Sequence, residues 1–212
     1  MPDKPEAIAY VDGYNLYYGL RKSCGRGTSG WRWLDLPKLV RRAVPEFDFP
    51  KIYYFTAYIQ PPTYAKAKRQ ARFLRALKTL PEVEPVMGRY TSDPVELPLA
   101  SNPSQYVEVL KTEEKESDTN IAVQLLMDGL VDGVTTNLVV LSNDSDQVPA
   151  IKRLRAAALT VGVLNPHLDR PSAELRKVAA WVRPIRPRNV LGCQLPNDLE
   201  DGGGLFSKPP NW

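Results

Sequence analysis

The stretch that decides the fold is Leu138-Val139-Val140-Leu141-Ser142-Asn143-Asp144-Ser145-Asp146, an apolar run that ends in polar and acidic residues. Four consecutive aliphatic side chains predict a strand that is buried on both faces. A second stretch of this kind, Ala7-Ile8-Ala9-Tyr10-Val11, ends at Asp12-Gly13. Ligands of parallel sheets lie beyond the carboxyl ends of the strands. Both stretches therefore place acidic side chains where a functional site is expected.

Strands and helices are predicted to alternate along most of the chain. Outward from the two stretches, further strands are predicted near 52–59, 83–90, 159–164 and 181–185, and helices near 63–80, 117–126, 148–158 and 172–180. This alternation predicts an α/β fold with a mainly parallel sheet that is covered by helices on both faces. Residues 92–104 contain three prolines and are predicted to be an irregular excursion.

The composition is that of a folded domain in a reducing compartment. The chain has 212 residues, 43% of them hydrophobic and 25% charged. Two cysteines cannot build a disulfide framework, so a cytoplasmic location is expected, with no membrane partner since no apolar run reaches the ~20 residues of a spanning helix. The single histidine excludes HExxH and multi-histidine zinc sites. A net charge of +4 permits a nucleic-acid partner without requiring one.

Four aspartates from three segments are expected at one edge of the sheet, namely Asp12, Asp118, Asp144 and Asp146. Each has a plainer interpretation: Asp12 as a turn residue, Asp118 at a helix start, and Asp144 and Asp146 in an Asx turn or helix cap. Taken together they predict a cation site, because crowded carboxylates repel one another unless a cation lies between them. With one histidine in the chain, oxygen-ligated Mg²⁺ or Mn²⁺ is the expected ion.

Four motifs, in this order, resemble the NYN domain of the LabA-like (DUF88) branch of the PIN-like nucleases. They are Ala9-Tyr10-Val11-Asp12-Gly13-Tyr14-Asn15-Leu16, the segment 74–88, Glu113-Glu114-Lys115-Glu116-Ser117-Asp118-Thr119-Asn120-Ile121-Ala122, and Leu141-Ser142-Asn143-Asp144-Ser145-Asp146-Gln147-Val148-Pro149-Ala150-Ile151. Each motif is weak alone, and the ordered set is specific. The resemblance covers roughly residues 6–185 and implies an NYN domain over residues 1–186. The proline, glycine and asparagine content from residue 187 onward predicts a flexible tail over 187–212.

The resemblance also implies a PIN-like three-layer α/β/α fold and a divalent-metal-dependent ribonuclease. The metal ligands of the family correspond to Asp12, Asp118, Asp144 and Asp146, with Asn15 beside them as a catalytic-site residue that orients substrate or water. One or two Mg²⁺ or Mn²⁺ ions are implied. Ser142 and Asn143 are expected to contact substrate, and Lys115 is expected to stabilise charge on the phosphate unless it is only a solvated residue of the acidic run.

Three departures from the family pattern bear on these expectations. Asn143 stands where many relatives have glycine, and Gln124 stands where many have another aspartate, which makes a second metal weaker. The insert at 91–106 contains no cysteine, so no zinc is expected. A phosphatase of the haloacid-dehalogenase type is excluded because Tyr14 occupies the place of its second aspartate, and a receiver domain is excluded because its lysine is missing.

A basic face on the predicted helix at 63–80 is the expected RNA contact. Lys68, Arg72 and Arg75 share one side of that helix, and phosphates are the natural partners of such a stripe. An alternative interpretation of the whole chain stays open: it is a PIN-like module that binds RNA or a protein and has weak catalytic activity or none. A homo-oligomer or a protein partner is also compatible with the sequence.

Overall fold

The computed structural model describes residues 4–25, 30–210 and 212, in which ten strands and seven helices follow one another. The strands are β1 (Glu6–Asp12), β2 (Asp48–Thr56), β3 (Val83–Met87), β4 (Arg89–Leu99), β5 (Asn102–Lys115), β6 (Asn137–Leu141), β7 (Thr160–Asn165), β8 (Trp181–Pro184), β9 (Asp198–Asp201) and β10 (Gly204–Ser207). The helices are α1 (Gly13–Cys24), α2 (Leu36–Ala43), α3 (Ala65–Leu77), α4 (Ser117–Leu126), α5 (Val148–Ala156), α6 (Ala173–Val178) and α7 (Pro187–Val190). A π-helical turn, Met127–Val131, follows α4, and a 3₁₀ turn, Ser145–Gln147, precedes α5.

The central sheet has six strands in the order β3-β2-β1-β6-β7-β8, and every neighbouring pair is parallel. The predicted α/β fold is confirmed, and its architecture is a three-layer α/β/α sandwich. From β1 the chain adds β2 and then β3, which forms one edge of the sheet. It then returns to the centre and adds β6, β7 and β8, the last of which forms the other edge. The carboxyl ends of β1 and β6 therefore frame the crevice in which sheets of this kind hold their ligands.

The two faces of the sheet carry two separate hydrophobic cores. Along β1, Ala7, Ala9 and Val11 face one core, and Ile8 and Tyr10 face the other, as the two-residue period of a strand requires. The first core is completed by buried side chains of α1, α2, α3 and α7, and the second by those of α4, α5 and α6. We refer to these as the α1–α3 layer and the α4–α6 layer.

Residues 92–104, predicted to be irregular, belong instead to a long antiparallel hairpin of β4 and β5, which we call the arm. The ladder is in register from the Arg89–Lys115 pair to the Pro98–Tyr106 pair, and most of its side chains are exposed. Pro94, Pro98 and Pro103 do not prevent this, because each strand of a two-stranded ladder has an edge whose backbone groups need no partner strand.

The segment from residue 187 onward, predicted to be a flexible tail, also differs in the structure. It contains α7 and the β9–β10 hairpin, and it contributes Val190, Cys193, Leu195 and Phe206 to the core of the α1–α3 layer. The Trp33 indole N–H donates to the Pro196 carbonyl at 2.7 Å. The composition of the segment suggested disorder, but these four apolar side chains anchor it to the core while most of its other described residues stay at the surface.

Across the described ranges, no helix has both the length and the apolar character needed to cross a bilayer. The loop predicted near residues 25–30 lies largely outside the described residues, as do the first residues of the chain.

Candidate metal centre and the cleft beside it

Three of the four predicted metal ligands come together at the carboxyl edge of the sheet. One carboxylate oxygen from each of Asp118, Asp144 and Asp146 lies within 4.8 Å of the others. Asp118 is in the first turn of α4, and the other two follow β6. Asp144 also forms the Asx turn that its sequence context suggested, because its Oδ1 accepts the Asp146 backbone N–H at 3.0 Å. Asp146 does not cap α5 with its side chain.

Asp12, the fourth predicted ligand, lies outside this close group and holds the neighbouring loops together. It is the N-cap of α1, where its Oδ1 accepts the Asn15 backbone N–H at 2.8 Å. Its Oδ2 accepts the hydroxyl of Ser142 at 2.9 Å. Burial, with smaller contributions from the nearby Asp118 and Asp144, raises the pKa of the Asp12 carboxyl to about 7, although these two hydrogen bonds act to lower it.

The three carboxylates of this group lie close together, and their negative charges act on one another. Burial, followed by repulsion from Asp144, Glu114 and Asp146, raises the pKa of Asp118 to about 6. Carboxylates with raised pKa values in a concave edge mark a functional site more often than a structural one. A divalent cation would reverse the repulsion, and carboxylate oxygens are the ligands that Mg²⁺ and Mn²⁺ prefer.

Glu114 is a further acidic residue of the site that the sequence did not single out. It is the second-last residue of β5, and its charge acts on both Asp118 and Tyr14. Its Oε1 is buried and has no hydrogen-bond partner within the described ranges. Glu114 adds negative charge near Asp118 that a divalent cation would offset, and we take Asp118, Asp144 and Asp146 as the candidate ligand set with Glu114 near it.

A chain of hydrogen bonds from other polar groups keeps the loops of this edge in place. The Asn15 side-chain oxygen accepts the Asn143 backbone N–H at 2.9 Å, and the Asn143 side-chain oxygen accepts the Ser172 backbone N–H at 2.7 Å. The Ser142 hydroxyl accepts the Asp144 backbone N–H at 3.0 Å. In the structure, Asn15, Ser142 and Asn143 are therefore positioning residues of the loop after β6, and their expected contacts with substrate stay predictions.

Gln124, noted as a departure from the family pattern, faces away from the carboxylate group. Its side-chain N–H donates to Oδ1 of Asp128 at 2.8 Å, and Asp128 also accepts the Tyr10 hydroxyl at 2.7 Å. Asp128 is buried in the π-helical turn after α4. Because Gln124 is engaged in this separate network, its amide replaces no ligand of the three-carboxylate group.

A cleft of about 630 Å³ opens beside the carboxylate group, on the α1–α3 layer. It is lined by residues that follow β1, by the end of β2, by one side of α3 and by Trp212. Tyr14, two residues after Asp12, lines it and donates its hydroxyl to the Ala57 carbonyl at 3.0 Å. The carboxylates lie on the α4–α6 side of the same edge, so Asp12 and Gly13 separate the two features.

The basic residues singled out from the sequence do not form one phosphate-binding stripe. Arg75 binds Asp201 with two hydrogen bonds of 2.8 and 2.6 Å, and Arg72 donates to the Ser207 carbonyl at 3.3 Å. Both side chains thus hold the β9–β10 hairpin, a role that α3 alone could not reveal. Lys68 is exposed, and Lys115 lies 3.7 Å from a carboxylate oxygen of Glu113.

Comparison with known proteins gives one clear sequence relative. The chain is 31% identical over 238 residues to 6-hydroxy-3-succinoylpyridine 3-monooxygenase HspA of Pseudomonas putida, and the match covers 96% of this chain and 74% of that enzyme. No protein-family model matches the chain.

Two solved structures are similar in fold to different degrees. A Vibrio parahaemolyticus protein of unknown function, VPA0982, superposes with a TM-score of 0.56 at 15% identity, covering 88% of this chain and 97% of that one. This likeness concerns the fold alone. A UDP-glucosyltransferase from Polygonum tinctorium reaches a TM-score of 0.29 at 14% identity over 76% of this chain and 29% of that one, too low to indicate a shared fold.

Proposed function

The chain belongs to the family of 6-hydroxy-3-succinoylpyridine 3-monooxygenase HspA, and from this premise we propose that it is itself an enzyme whose reactive groups lie at the carboxyl edge of the sheet. The reaction that the geometry supports best is divalent-metal-dependent hydrolysis of RNA phosphodiester bonds. The observation that carries this proposal is the convergence of Asp118, Asp144 and Asp146 within 4.8 Å. The four ordered motifs that resemble the NYN domain supply the substrate class.

The proposed ligand set is chemically suited to one divalent cation. Asp118, Asp144 and Asp146 would hold it, and the nearby Glu114 would add to the negative potential that attracts it. A bound Mg²⁺ or Mn²⁺ supplies a Lewis acid that neutralises charge on a phosphate oxygen and makes water more acidic. Zinc is not favoured, since the group contains no sulfur or nitrogen ligand.

The other residues of the edge position these carboxylates and handle protons. Asp12 fixes the start of α1 and the loop after β6 through Asn15 and Ser142. Its pKa of about 7 is that of the metal-free site, and a cation bound to the neighbouring aspartates would lower this pKa and favour the carboxylate form, which can act as a general base. Lys115 lies at the end of β5, three residues before Asp118, and would add positive charge near the phosphate.

Cleavage of end-labelled single-stranded and structured RNA tests the proposed function. The wild-type protein should cleave with Mn²⁺ or Mg²⁺ and stop when EDTA is added. Asp118→Asn and Asp144→Asn should each slow cleavage by on the order of 100-fold or more, since loss of even an outer metal contact has an effect of this size. Asp132→Asn, the same change at an exposed site at the end of the π-helical turn, is the matched control. Cleavage that persists in both site variants would contradict the proposal.

A second candidate function is oxygenation of a nitrogen heterocycle, which the relationship to HspA favours. The name of that enzyme describes a hydroxylated pyridine with a succinoyl side chain as its substrate. In a monooxygenase reaction one atom of O₂ is added to the substrate. The other atom leaves as water, with two electrons and protons from a reduced nicotinamide or flavin.

This alternative has its own test. The protein is incubated with 6-hydroxy-3-succinoylpyridine, NADH, flavin and ¹⁸O₂, and the products are analysed by mass spectrometry. One ¹⁸O atom in a hydroxylated product would establish oxygenation. Unchanged pyridine, together with RNA cleavage that depends on Asp144, would leave hydrolysis as the function.

A further inference from the structure

The cleft beside the carboxylate group combines aromatic rings with positive charge. Its base is apolar and rigid, because Trp31, Tyr54 and Phe73 line it and are almost fully buried. Tyr17 and Tyr18 stand at its rim with exposed fractions of 40% and 52%. The Tyr17 ring packs against Trp31 at 5.5 Å and against Tyr18 at 5.4 Å between ring centroids. Rings that are exposed on one side and fixed by packing on the other are ready-made stacking surfaces.

The charge of the cleft has one sign. Arg21, Arg32, Lys66 and Arg69 line it, and its described lining includes no aspartate or glutamate. Arg21, Lys66 and Arg69 also form no ion pair with any residue that the structure describes. Several cations that share a concave, partly apolar surface without a carboxylate concentrate positive potential there. An anion is therefore the kind of ligand that suits this cleft.

Two neutral polar side chains of the cleft, Gln70 and Tyr14, are already engaged within the protein. The Gln70 side chain accepts the Ile59 backbone N–H at 2.9 Å and donates to the Ala57 carbonyl at 2.9 Å. Tyr14 donates to the same carbonyl. The features of the cleft that suit a ligand are therefore its aromatic rings and the charge of its arginine and lysine side chains.

We propose that the cleft binds a planar aromatic ring that carries an anionic group, and that this ligand is a nucleotide of the RNA substrate. The base stacks on the rim tyrosines, and a phosphate binds Arg21, Lys66 and Arg69. The identification of the ligand as RNA rests on the proposed function, whereas the aromatic-anion site rests on the cleft alone. A small aromatic acid has the same two chemical features and is the competing source.

The arm connects the cleft with the carboxylate group. Tyr90 on β4 lines the cleft, and it lies directly opposite Glu114 on β5 in the ladder. On the other flank, Asp12 and Tyr14 are two residues apart. A nucleotide in the cleft therefore lies one strand pair away from the proposed cation, so that the next phosphate of the RNA strand can reach the carboxylates.

The test measures binding without catalysis, on the full-length Asp144→Asn protein in EDTA. The probes are AMP, adenosine, inorganic phosphate and 6-hydroxynicotinate, titrated by calorimetry and by tryptophan fluorescence, since Trp31 and Trp212 line the cleft. AMP should bind at least about tenfold more tightly than adenosine or phosphate, because adenosine lacks the charged hydrogen bonds and phosphate lacks the stacked ring.

Variants of the cleft locate the binding. Arg69→Gln and Arg21→Gln should each weaken AMP binding about tenfold, and Tyr18→Leu should weaken both AMP and adenosine. Lys78→Gln is the matched control, because Lys78 is exposed at the end of the same helix as Arg69 and does not line the cleft. Tyr18 and Arg69 are exposed, so their replacement leaves the core intact, and thermal melts of each variant verify this.

Failure of this inference can be told apart from failure of the proposed function. Absence of AMP binding at millimolar concentration, or equal weakening by Lys78→Gln and Arg69→Gln, overturns the cleft site even if RNA is cleaved. Binding of 6-hydroxynicotinate at least tenfold tighter than AMP overturns the nucleotide assignment. AMP binding that depends on Arg69 in a protein that cleaves no RNA supports the aromatic-anion site and contradicts the proposed ribonuclease function.

Discussion

At the scale of single residues, the raised pKa values of Asp12 and Asp118 make the stability of the metal-free protein depend on pH. Their folded pKa values are about 7 and about 6, above the 3.8 of an unperturbed aspartate. The folded state therefore holds protons more tightly than the unfolded chain, and the stabilisation is complete below pH ~4. It is lost as the pH rises through 6 and 7. Thermal melts in EDTA should show a lower Tm at pH 7.5 than at pH 5.5.

The variant Asp144→Asn checks the cause of this pH dependence. It removes a negative charge that raises the pKa of both Asp12 and Asp118. The drop in Tm between pH 5.5 and 7.5 should therefore be smaller in Asp144→Asn than in the wild type. An equal drop in both proteins would show that the carboxylates are too far apart to interact.

A divalent cation should also stabilise the folded state, and it competes with protons for the same carboxylates. Binding to the folded state alone stabilises it by about 2.7 kcal/mol at a concentration of 100 times Kd, which for a domain of this size raises Tm by roughly 5–10 °C. We expect this increase with Mn²⁺ at pH 7.5 and a smaller one at pH 5.5, where protons compete. Asp118→Asn should lose the increase, and the control Asp132→Asn should keep it.

The residues of the site could be predicted from the sequence where they lie at the end of a strand or the start of a helix. Asp118, Asp144 and Asp146 follow from the positions of β6 and α4, which the sequence indicates by apolar runs and a helix start. Glu114 does not, because it lies in a strand whose prolines argued against regular structure. In the run Glu113-Glu114-Lys115-Glu116, alternate residues of β5 point to opposite sides, and the sequence does not tell which side faces the carboxylates.

At the scale of elements, the link between α3 and the β9–β10 hairpin changes the expected effect of the basic stripe. Arg72 and Arg75 hold the hairpin, so only Lys68 of the three is left to bind phosphate. Lys68→Ala should reduce the slope of log affinity for single-stranded RNA against log salt by at most about 0.7. A decrease near two units on replacing all three residues would show that Arg72 and Arg75 leave the hairpin to bind RNA.

Replacement of Arg75 alone should loosen the hairpin. In Arg75→Ala, Asp201 loses both of its guanidinium hydrogen bonds, and the amides of residues 198–207 should exchange faster with deuterium. Hydrogen exchange followed by mass spectrometry measures this directly. Lys78→Ala, at the exposed end of the same helix, should leave the exchange of the hairpin unchanged.

A buried polar network joins β1 to the turn after α4. Tyr10→Phe removes the hydroxyl that Asp128 accepts, which leaves a buried carboxylate oxygen without this donor. We expect a loss of about 1–3 kcal/mol in the free energy of unfolding by urea titration. Tyr53→Phe is the matched control, since its ring stacks on Tyr10 at 5.7 Å but its hydroxyl makes no hydrogen bond within the described ranges. Equal losses in the two variants would contradict this role of Asp128.

At the scale of the whole molecule, the six-stranded sheet and the helices that cover it, which we call the body, should be stable without most of the arm. The side chains of β4 and β5 are mainly exposed beyond the pairs next to the body, so the outer arm contributes little to either core. Joining Thr91 to Glu113 through an Asn-Gly turn should leave the circular dichroism spectrum of the helices and the Tm within a few °C of wild type. Unfolding of this shortened protein would show that the arm packs on the body.

The body of the molecule was predictable, and its peripheral parts were not, for a physical reason. Long apolar runs such as Leu138–Leu141 specify buried parallel strands almost independently of context. The arm and the segment after residue 187 contain prolines and glycines that suggest irregular chain. Their structure depends on a single partner strand or on a few apolar anchors such as Phe206, and neither leaves a clear periodic pattern.

The hydrogen bonds that hold the loops of the carboxyl edge have an evolutionary consequence. Asn15, Asn143, Ser142 and Ser172 connect these loops without using a carboxylate oxygen of Asp118 or Asp146. A lineage can therefore exchange those two acids for other side chains and keep the loops in place. Within one family, the same frame could thus be inherited by enzymes with unrelated reactions, because selection on chemistry and selection on folding act here on different residues.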